Sequence, residues 1–454
     1  MLDRHIFRAY DVRGIVNRDL TPDVMAGIGM AFGTYLKGRG RVLVGRDVRV
    51  TSELLESAFV SGLLSTGVDV VDTGLVPIPV ANFKTMVGDF EAGAYVTASH
   101  NPPEYNGVRL RRGDGTGYTE ENERVWDIAL EGGHRLARWD GIGSVTAIDA
   151  EETVNEYRDY LLDRIRIEEP VTTALDIGNG AAYHAAPLVL KEAGARAITI
   201  NEAPDGRFPN RPSEPNDRTL GALKKMVVDS GADFGVGYDG DADRAMFVDD
   251  RGRTVATEKI GILLARDIME RKGPGVVVCN VSCSMIMEEE IERLGGTVRR
   301  VRVGDVFVAE AIKEHKALLA IETSAHIFMP EFYVFDDPIL ATLQVARILS
   351  EEGEPLSTIV DGMPSYPYEE LNFTCPEEIK FKVMEEIVKG FREQGLELDL
   401  TDGVKVNLEE GWILLRPSNT SPKIRAAVEA KDKKGLERLK DMAKKGFEAA
   451  KARL

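Results

Sequence analysis

The sequence predicts an α/β protein: three similar α/β/α domains with mixed sheets and a C-terminal α+β domain, arranged around a central cleft. Three observations lead there. The chain has 454 residues, room for about three or four domains at roughly 100–200 residues each. A plan of strand, polar loop, amphipathic helix, glycine and second strand recurs three times along it, as repeated α/β units require. From about Tyr366 the pattern changes to a strand, a helix, three consecutive strands and a closing helix.

The first repeat starts with a strand at 41–44, passes the Gly45-Arg46-Asp47 loop and a helix over 53–64, and returns through Gly67 to a strand ending at Val71. The second runs from a strand at 174–177 through Gly178-Asn179-Gly180 and a helix ending at Ala193 to a strand at 197–200. The third joins strands at 276–278 and 298–303 through a helix ending at Leu294. After each comes a strand that opens into a polar loop: Thr97-Ala98-Ser99-His100-Asn101, Asp239-Gly240-Asp241-Ala242-Asp243-Arg244, and Glu322-Thr323-Ser324-Ala325-His326. Open α/β sheets bind ligands beyond the carboxyl ends of their strands, so equivalent loops are expected to converge on one cleft. The expected domains are 1–150, 151–253, 254–365 and 366–454. In the last, 370–374, 404–408, 412–415 and 424–429 read as strands and 377–392 as a helix. Leu436, Leu439, Met442 and Phe447 form the apolar stripe of the closing helix.

Composition narrows the function. The formal net charge of −18 argues against nucleic acid and anionic membrane as partners, so an anionic ligand must be caught by a few placed cations. The charged opening Met1-Leu2-Asp3-Arg4-His5 leads into no apolar run, and no later run is long enough to cross a bilayer. The expectation is a cytoplasmic protein acting on a small molecule, with a homo-oligomer left open. Cys279, Cys283 and Cys375 allow no even disulfide set and are expected to be buried, reduced and structural. The six histidines lack the His-Glu-x-x-His spacing of a zinc hydrolase.

Asp239, Asp241 and Asp243 alternate directly after a strand. In an extended loop they would point to one side and offer hard oxygen ligands suited to Mg²⁺ or Ca²⁺. An EF-hand is excluded, because its sixth position would be Arg244 instead of glycine and its twelfth Asp250 instead of Glu. The stretch Arg416-Pro417-Ser418-Asn419-Thr420-Ser421-Pro422-Lys423-Ile424-Arg425 gathers three cations and three hydroxyls, groups that bind phosphate, although alone it also reads as a hairpin rich in turn formers.

Four motifs in this order, Thr97-Ala98-Ser99-His100-Asn101-Pro102-Pro103, Asp239 to Arg244, Glu322-x-Ser324-x-His326 and Arg416-x-Ser418-Asn419-Thr420, resemble the active-site loops of the α-D-phosphohexomutases. The opening Ile6-Phe7-Arg8-Ala9-Tyr10-Asp11-Val12-Arg13-Gly14 resembles the phosphomannomutase/phosphoglucomutase branch. The resemblance spans essentially the whole chain. It implies that Ser99 carries a phosphoryl group, lent to a hexose phosphate and regained from its other end through a hexose 1,6-bisphosphate, which also serves as activator. Asp239, Asp241 and Asp243 would hold Mg²⁺ against the seryl phosphate, lined by Arg13, His100 and Arg109. Arg244, Arg302, Asp305, Glu322, Ser324 and His326 would bind the sugar. Arg416, Ser418, Asn419, Thr420 and Arg425 would clamp the phosphate that is not reacting.

Some positions depart from that pattern. Arg109 and Arg302 stand where lysines are usual, and guanidinium does not readily give up its proton. Ile321 and Ala325 replace glycines of the sugar loop and are expected to narrow the pocket. Val303-Gly304-Asp305 looks more like phosphoglucosamine mutases. Mannose and glucose phosphates are the first expected substrates, and glucosamine and pentose phosphates the alternatives. A Mg²⁺-dependent sugar phosphatase and a catalytically silent phosphosugar binder are rivals from other classes.

Overall fold

The computed structural model describes residues 4–8, 10–418 and 422–454. Four sheets follow one another along the chain. The first has six strands in the order Val12–Ile15, Tyr105–Arg112, Ala92–Val96, Arg41–Arg46, Asp69–Leu75, Val145–Ala147. The second runs Thr254–Val255, Ala245–Asp249, Phe234–Tyr238, Thr172–Asp176, Arg196–Ile200, and the third Thr297–Val301, Val276–Asn280, Leu319–Ile321, Ile327–Phe328. The fourth is wholly antiparallel: Tyr368–Thr374, Lys423–Ala430, Gly411–Pro417, Val404–Leu408.

The first three sheets are mixed in the same way. Ala92–Val96, Phe234–Tyr238 and Leu319–Ile321 each pair in parallel with one neighbour and antiparallel with the strand that follows. All residues of these three strands are buried, as expected where helices cover both faces of a sheet. The three polar loops therefore leave equivalent strand ends.

Helix packing follows from the sequence. Leu55, Phe59 and Leu63 of the helix Ser52–Ser65 fall at i, i+4 and i+8 and are buried. That helix crosses Pro22–Tyr35 at backbone distance, since a Cβ on Gly62 would lie 2.2 Å from the Ala26 carbonyl oxygen. Any larger residue there would force the helices apart. The fourth-domain helices begin at Lys380 and Lys433, the first of them three residues later than the periodicity implies. In the closing helix Leu436, Leu439 and Phe447 are buried and Met442 is half-buried.

One continuous apolar core runs through the second and third sheets and reaches the first through Val76, Ile78, Phe83 and Tyr95. The fourth domain has its own core. It meets the third through a small cluster of Val281, Trp412 and Leu414, where Lys405 Nζ donates to the Val281 carbonyl at 2.8 Å. The three cysteines are free and buried. Among the described residues, no helix is long and apolar enough to cross a membrane.

Candidate active site

The loops after the three central strands open on one cleft of about 1040 Å³. Its lining comes from all four domains: Arg13, His100 and Arg109; Asp243 and Arg244; Arg302, Asp305, Glu322, Ser324 and His326; and Arg416. The described lining contains six arginines and six carboxylates, so the cleft escapes the acidity of the chain as a whole.

Ser99 lies just beneath the floor, fully buried and next to His100 and Asn101, which line the cleft, with its backbone in the left-handed region at φ 49°. Such a conformation costs a non-glycine residue roughly 1–2 kcal/mol and persists only where the surroundings enforce it. Arg49 enforces it. This arginine is 3% exposed and donates to the carbonyls of Ser99 at 2.6 Å, Asn101 at 2.7 Å, Pro102 at 2.7 Å and Tyr105 at 3.0 Å. Its Nε is held by Asp47 at 3.0 Å and its guanidinium lies over the Phe208 ring at 5.2 Å. Asp47 also receives the Ser52 hydroxyl at 2.5 Å, and its other oxygen lies 2.8 Å from Thr97 Oγ1. Thr97 Oγ1 in turn accepts the Ser99 N–H at 2.8 Å. Neither Arg49 nor Asp47 was expected from the sequence. The signal available was the polar loop of the first repeat, which lies at a strand end like the other three.

The second domain meets this floor closely. A Cβ on Gly240 would lie 2.9 Å from the Ser99 carbonyl oxygen, so glycine permits the approach. Ser99 Oγ is 3.1 Å from Asp239 Oδ2, 3.4 Å from Asp243 Oδ1 and 3.3 Å from His100 Nδ1. The acidic loop is not extended, as alternation would have it. Ala242 takes a left-handed φ of 62°, and Asp239 Oδ1 accepts the N–H groups of Asp243 and Arg244 at 3.1 Å each. The turn still gathers one oxygen of each of Asp239, Asp241 and Asp243 within 4.8 Å of one another.

These carboxylates are 0–1% exposed and strain against their shared charge. Burial and the neighbouring Asp243 and Asp241 carboxylates push Asp239 well above the ordinary range. Burial and Asp243, against Arg109, lift Asp241 to about 6. Asp243 stays well below, because His326, Arg109 and Arg244 outweigh its burial. Asp241 Oδ1 is buried and has no hydrogen-bond partner. A buried, partnerless carboxylate oxygen among converging acids fits a hard divalent cation.

Arg109 bridges three domains. Nη1 meets Asp243 Oδ2 at 2.5 Å and Nη2 meets Asp305 Oδ2 at 2.6 Å, with Arg111 on the same Asp305 oxygen at 3.1 Å. Burial opposes its charge, but Asp305 and Asp243 hold it firmly protonated. Asp305 is likewise committed as a carboxylate, burial being outweighed by Arg109 and Arg111. Burial, reinforced by Arg244 and Arg13, drives His100 down to about 2, so it stands neutral beside Ser99. His326 is buried in the wall, with Nδ1 2.5 Å from Asp336 Oδ2 and Nε2 3.0 Å from Arg244 Nε.

Farther up the wall, Glu322 Oε1 accepts from Asn280 Nδ2 at 3.0 Å and from Gly304 N at 2.8 Å. No cation pairs with Glu322 among the described residues. Arg302 is exposed and stacks on Phe307 at 4.6 Å. Arg416 pairs with Asp402 at 2.7 Å. Ser418 is buried, its carbonyl taken by Lys380 Nζ at 2.6 Å. Arg425 is the cross-strand partner of Arg416 on the adjacent strand and does not line the cleft. Asn419 and Thr420 lie outside the described residues. The expected narrowing by Ile321 and Ala325 is not seen. Both are buried behind the wall, Ile321 against Gly261 of the helix Thr257–Lys272, and Ala325 simply takes the left-handed φ of 72° that a glycine would.

Four buried-loop domains around such a cleft define a phosphohexomutase scaffold, and comparison with known proteins agrees. Models described as phosphoglucomutase/phosphomannomutase domains I, II, III and C-terminal match residues 4–132, 155–252, 256–366 and 370–445. The chain is 38% identical over 436 residues to a protein of Methanopyrus kandleri named probable phosphoglucosamine mutase, covering 96% of each. It is 36% identical to a phosphoglucomutase/phosphomannomutase of Thermococcus kodakarensis, covering 94% of each. A crystal structure of a Burkholderia thailandensis phosphoglucomutase/phosphomannomutase family protein superposes with a TM-score of 0.90 at 29% identity, over 99% of this chain and 98% of that one. The chain belongs to the phosphoglucomutase/phosphomannomutase family, within the α-D-phosphohexomutase superfamily.

Proposed function

We propose that the protein interconverts hexose 6-phosphates and 1-phosphates, with Ser99 as phosphoryl carrier and a hexose bisphosphate as intermediate and activator. The observation that supports this most is Ser99 Oγ, buried against His100 of the cleft lining and within 3.4 Å of two of the three gathered carboxylates. A serine outside a catalytic triad is a poor hydrolytic nucleophile but a workable phosphate carrier once its oxygens are neutralised. Asp239, Asp241 and Asp243 are the residues that would hold Mg²⁺, which when bound would neutralise charge on the transferring phosphoryl group.

The chain's own groups divide the remaining work. Arg49 and Thr97 fix the direction of Ser99 Oγ. Arg13 and Arg244 border the seryl phosphate, and neutral His100 can donate to it without adding charge. Arg109, held by two carboxylates, organises the floor and is not the general base. Glu322, with no cation paired to it among the described residues, accepts from sugar hydroxyls or pairs with a sugar ammonium. Arg302 and Arg416 receive the distal phosphate. The cleft volume of about 1040 Å³ lies just above the roughly 300–1,000 Å³ usual for drug-sized ligands, which leaves room for a bisphosphate to turn end for end.

For the sugar, the unpaired Glu322 carboxylate and the names of several relatives favour glucosamine phosphate, ahead of the glucose and mannose phosphates that the opening motif suggests. Comparing kcat/KM for glucosamine, glucose, mannose and ribose phosphates, each with bisphosphate activator, tests this directly. Glucosamine phosphate is expected to lead by about tenfold or more, roughly 1.4 kcal/mol of discrimination. A lead by glucose or mannose phosphate would restore the other branch. Phosphate release in step with turnover would make the protein a phosphatase.

A further inference from the structure

Behind the wall that carries Glu322 lies Asn280, the last residue of the strand Val276–Asn280, which is 1% exposed and does not itself line the cleft. Its side-chain amide is oriented by its partners. Oδ1 accepts from Ser282 N and Thr323 Oγ1 at 3.1 Å each and from Cys283 Sγ at 3.4 Å, while Nδ2 donates to Glu322 Oε1 at 3.0 Å. A backbone N–H can only donate, so the amide atom beside Ser282 N is the oxygen, and the atom that faces the Glu322 carboxylate is the NH₂ group.

Glu322 is thereby held by one of its two oxygens. Oε1 accepts from Asn280 Nδ2 and from Gly304 N at 2.8 Å, while Oε2 accepts from none of the described residues. Glu322 is buried yet lines the cleft, so Oε2 is the oxygen left for a ligand. A carboxylate free to turn would offer either oxygen; one pinned at Oε1 offers a single acceptor in a fixed place.

The turn that follows Asn280 is restrained like the loop of Ser99. Arg300 Nη1 donates to the carbonyls of Asn280 and Val281 at 3.3 Å each and of Cys283 at 2.7 Å, and Nη2 donates to Ser284 at 3.0 Å. Glu288 holds the same guanidinium through Nε at 2.7 Å and Nη2 at 2.8 Å. An arginine under four main-chain carbonyls thus occurs twice, Arg49 in the first domain and Arg300 in the third, and the second fixes the turn from which Asn280 reaches Glu322.

Given the mutase activity proposed above, on which this rests, we propose that Asn280 is a positioning residue for sugar recognition: it pins Glu322 Oε1, and the single acceptor left at Oε2 sets which hexose phosphate the cleft prefers. A site that relies on one oriented acceptor rejects a sugar lacking the matching donor, because the acceptor then stays buried and unpaired.

Asn280→Ser and Asn280→Ala separate this role from a merely structural one. Serine keeps an oxygen for the Ser282 N–H but is too short to donate to Glu322, and alanine keeps neither. If Asn280 only closed the turn, Asn280→Ser would behave as wild type; because it aims Glu322, the two variants should act alike. In kcat/KM for glucosamine, glucose, mannose and ribose phosphates, the lead of the best substrate over the next is expected to fall about tenfold in both. The loss should lie in KM, with kcat within about threefold of wild type, since Ser99 and the acidic loop are untouched. Circular dichroism and thermal melting check that both variants fold. A lead retained by folded Asn280→Ser overturns the proposal whatever Asn280→Ala does, and so does a loss confined to kcat. A wild type that isomerises none of the four sugar phosphates, and takes no phosphoryl group from hexose bisphosphate onto Ser99, overturns the mutase reading itself and this role with it.

Discussion

The two ends of the cleft are built on different principles. At the floor, Ser99 is fixed by a buried arginine with four carbonyl acceptors, and Arg109 ties the first, second and third domains together through Asp243 and Asp305. At the far end, Arg416 projects from an antiparallel sheet with its own core, joined to the third domain by a small apolar cluster. On the proposed function the difference teaches a division of labour: Ser99 is held where a small displacement matters most, and Arg416 presents a recognising charge from a separate unit. Substitutions at the floor should therefore act on kcat and those at the far end on KM.

Removing the carrier tests the floor most severely. Ser99→Ala is expected to lower kcat by roughly 10⁴-fold or more, as loss of a nucleophile does, with substrate binding preserved by calorimetry. Asp241→Ala should follow, costing about 10²–10³-fold in kcat by leaving transferring charge uncompensated, and exhaustive chelation of the wild type should have a similar effect. Activity undiminished by chelation would remove the metal from the account.

Arg49→Lys sharpens the comparison, because lysine keeps the charge but cannot reach four carbonyls and Asp47 at once. A misplaced Ser99 Oγ should cost about a hundredfold in kcat with KM little changed. If KM moved instead, the floor would be a binding surface like the far end. Arg416→Ala should do the reverse, raising KM about ten- to a hundredfold, the worth of a hydrogen bond to a charged group, and increasing phosphate release relative to isomerised product as the distal phosphate is lost. The smallest effect is expected of Arg109→Lys, about tenfold in kcat, because one ammonium cannot bridge Asp243 and Asp305 as the fork does. Faster turnover in that variant would mean that a group able to shed its proton is wanted there.

Much of this was legible in the sequence because the first three domains repeat. A strand opening into a polar loop occurs after each, and the structure places Ser99, Asp239 to Asp243 and Glu322 at equivalent strand ends. The clamp was not legible, since Arg49 works through main-chain carbonyls some fifty residues away, and carbonyls leave no trace in side-chain pattern. Ile321 and Ala325 were misjudged for a related reason. Their place in the motif is clear, but whether a side chain faces the cleft or the helix behind it depends on the pleat of a three-residue strand and the φ of the next turn. Arg425 shares a register position with Arg416 on a neighbouring strand, and charge spacing alone does not say which of the two reaches the cleft.

The central claim is that Ser99 exchanges a phosphoryl group with sugar phosphate, and intact mass with peptide mapping tests it most directly. Protein incubated with hexose bisphosphate should carry one phosphoryl group on the peptide containing Ser99, and should lose it to added hexose monophosphate as bisphosphate appears. Full mutase turnover with no phosphoryl group on that peptide, or one that reaches only water, would contradict the account.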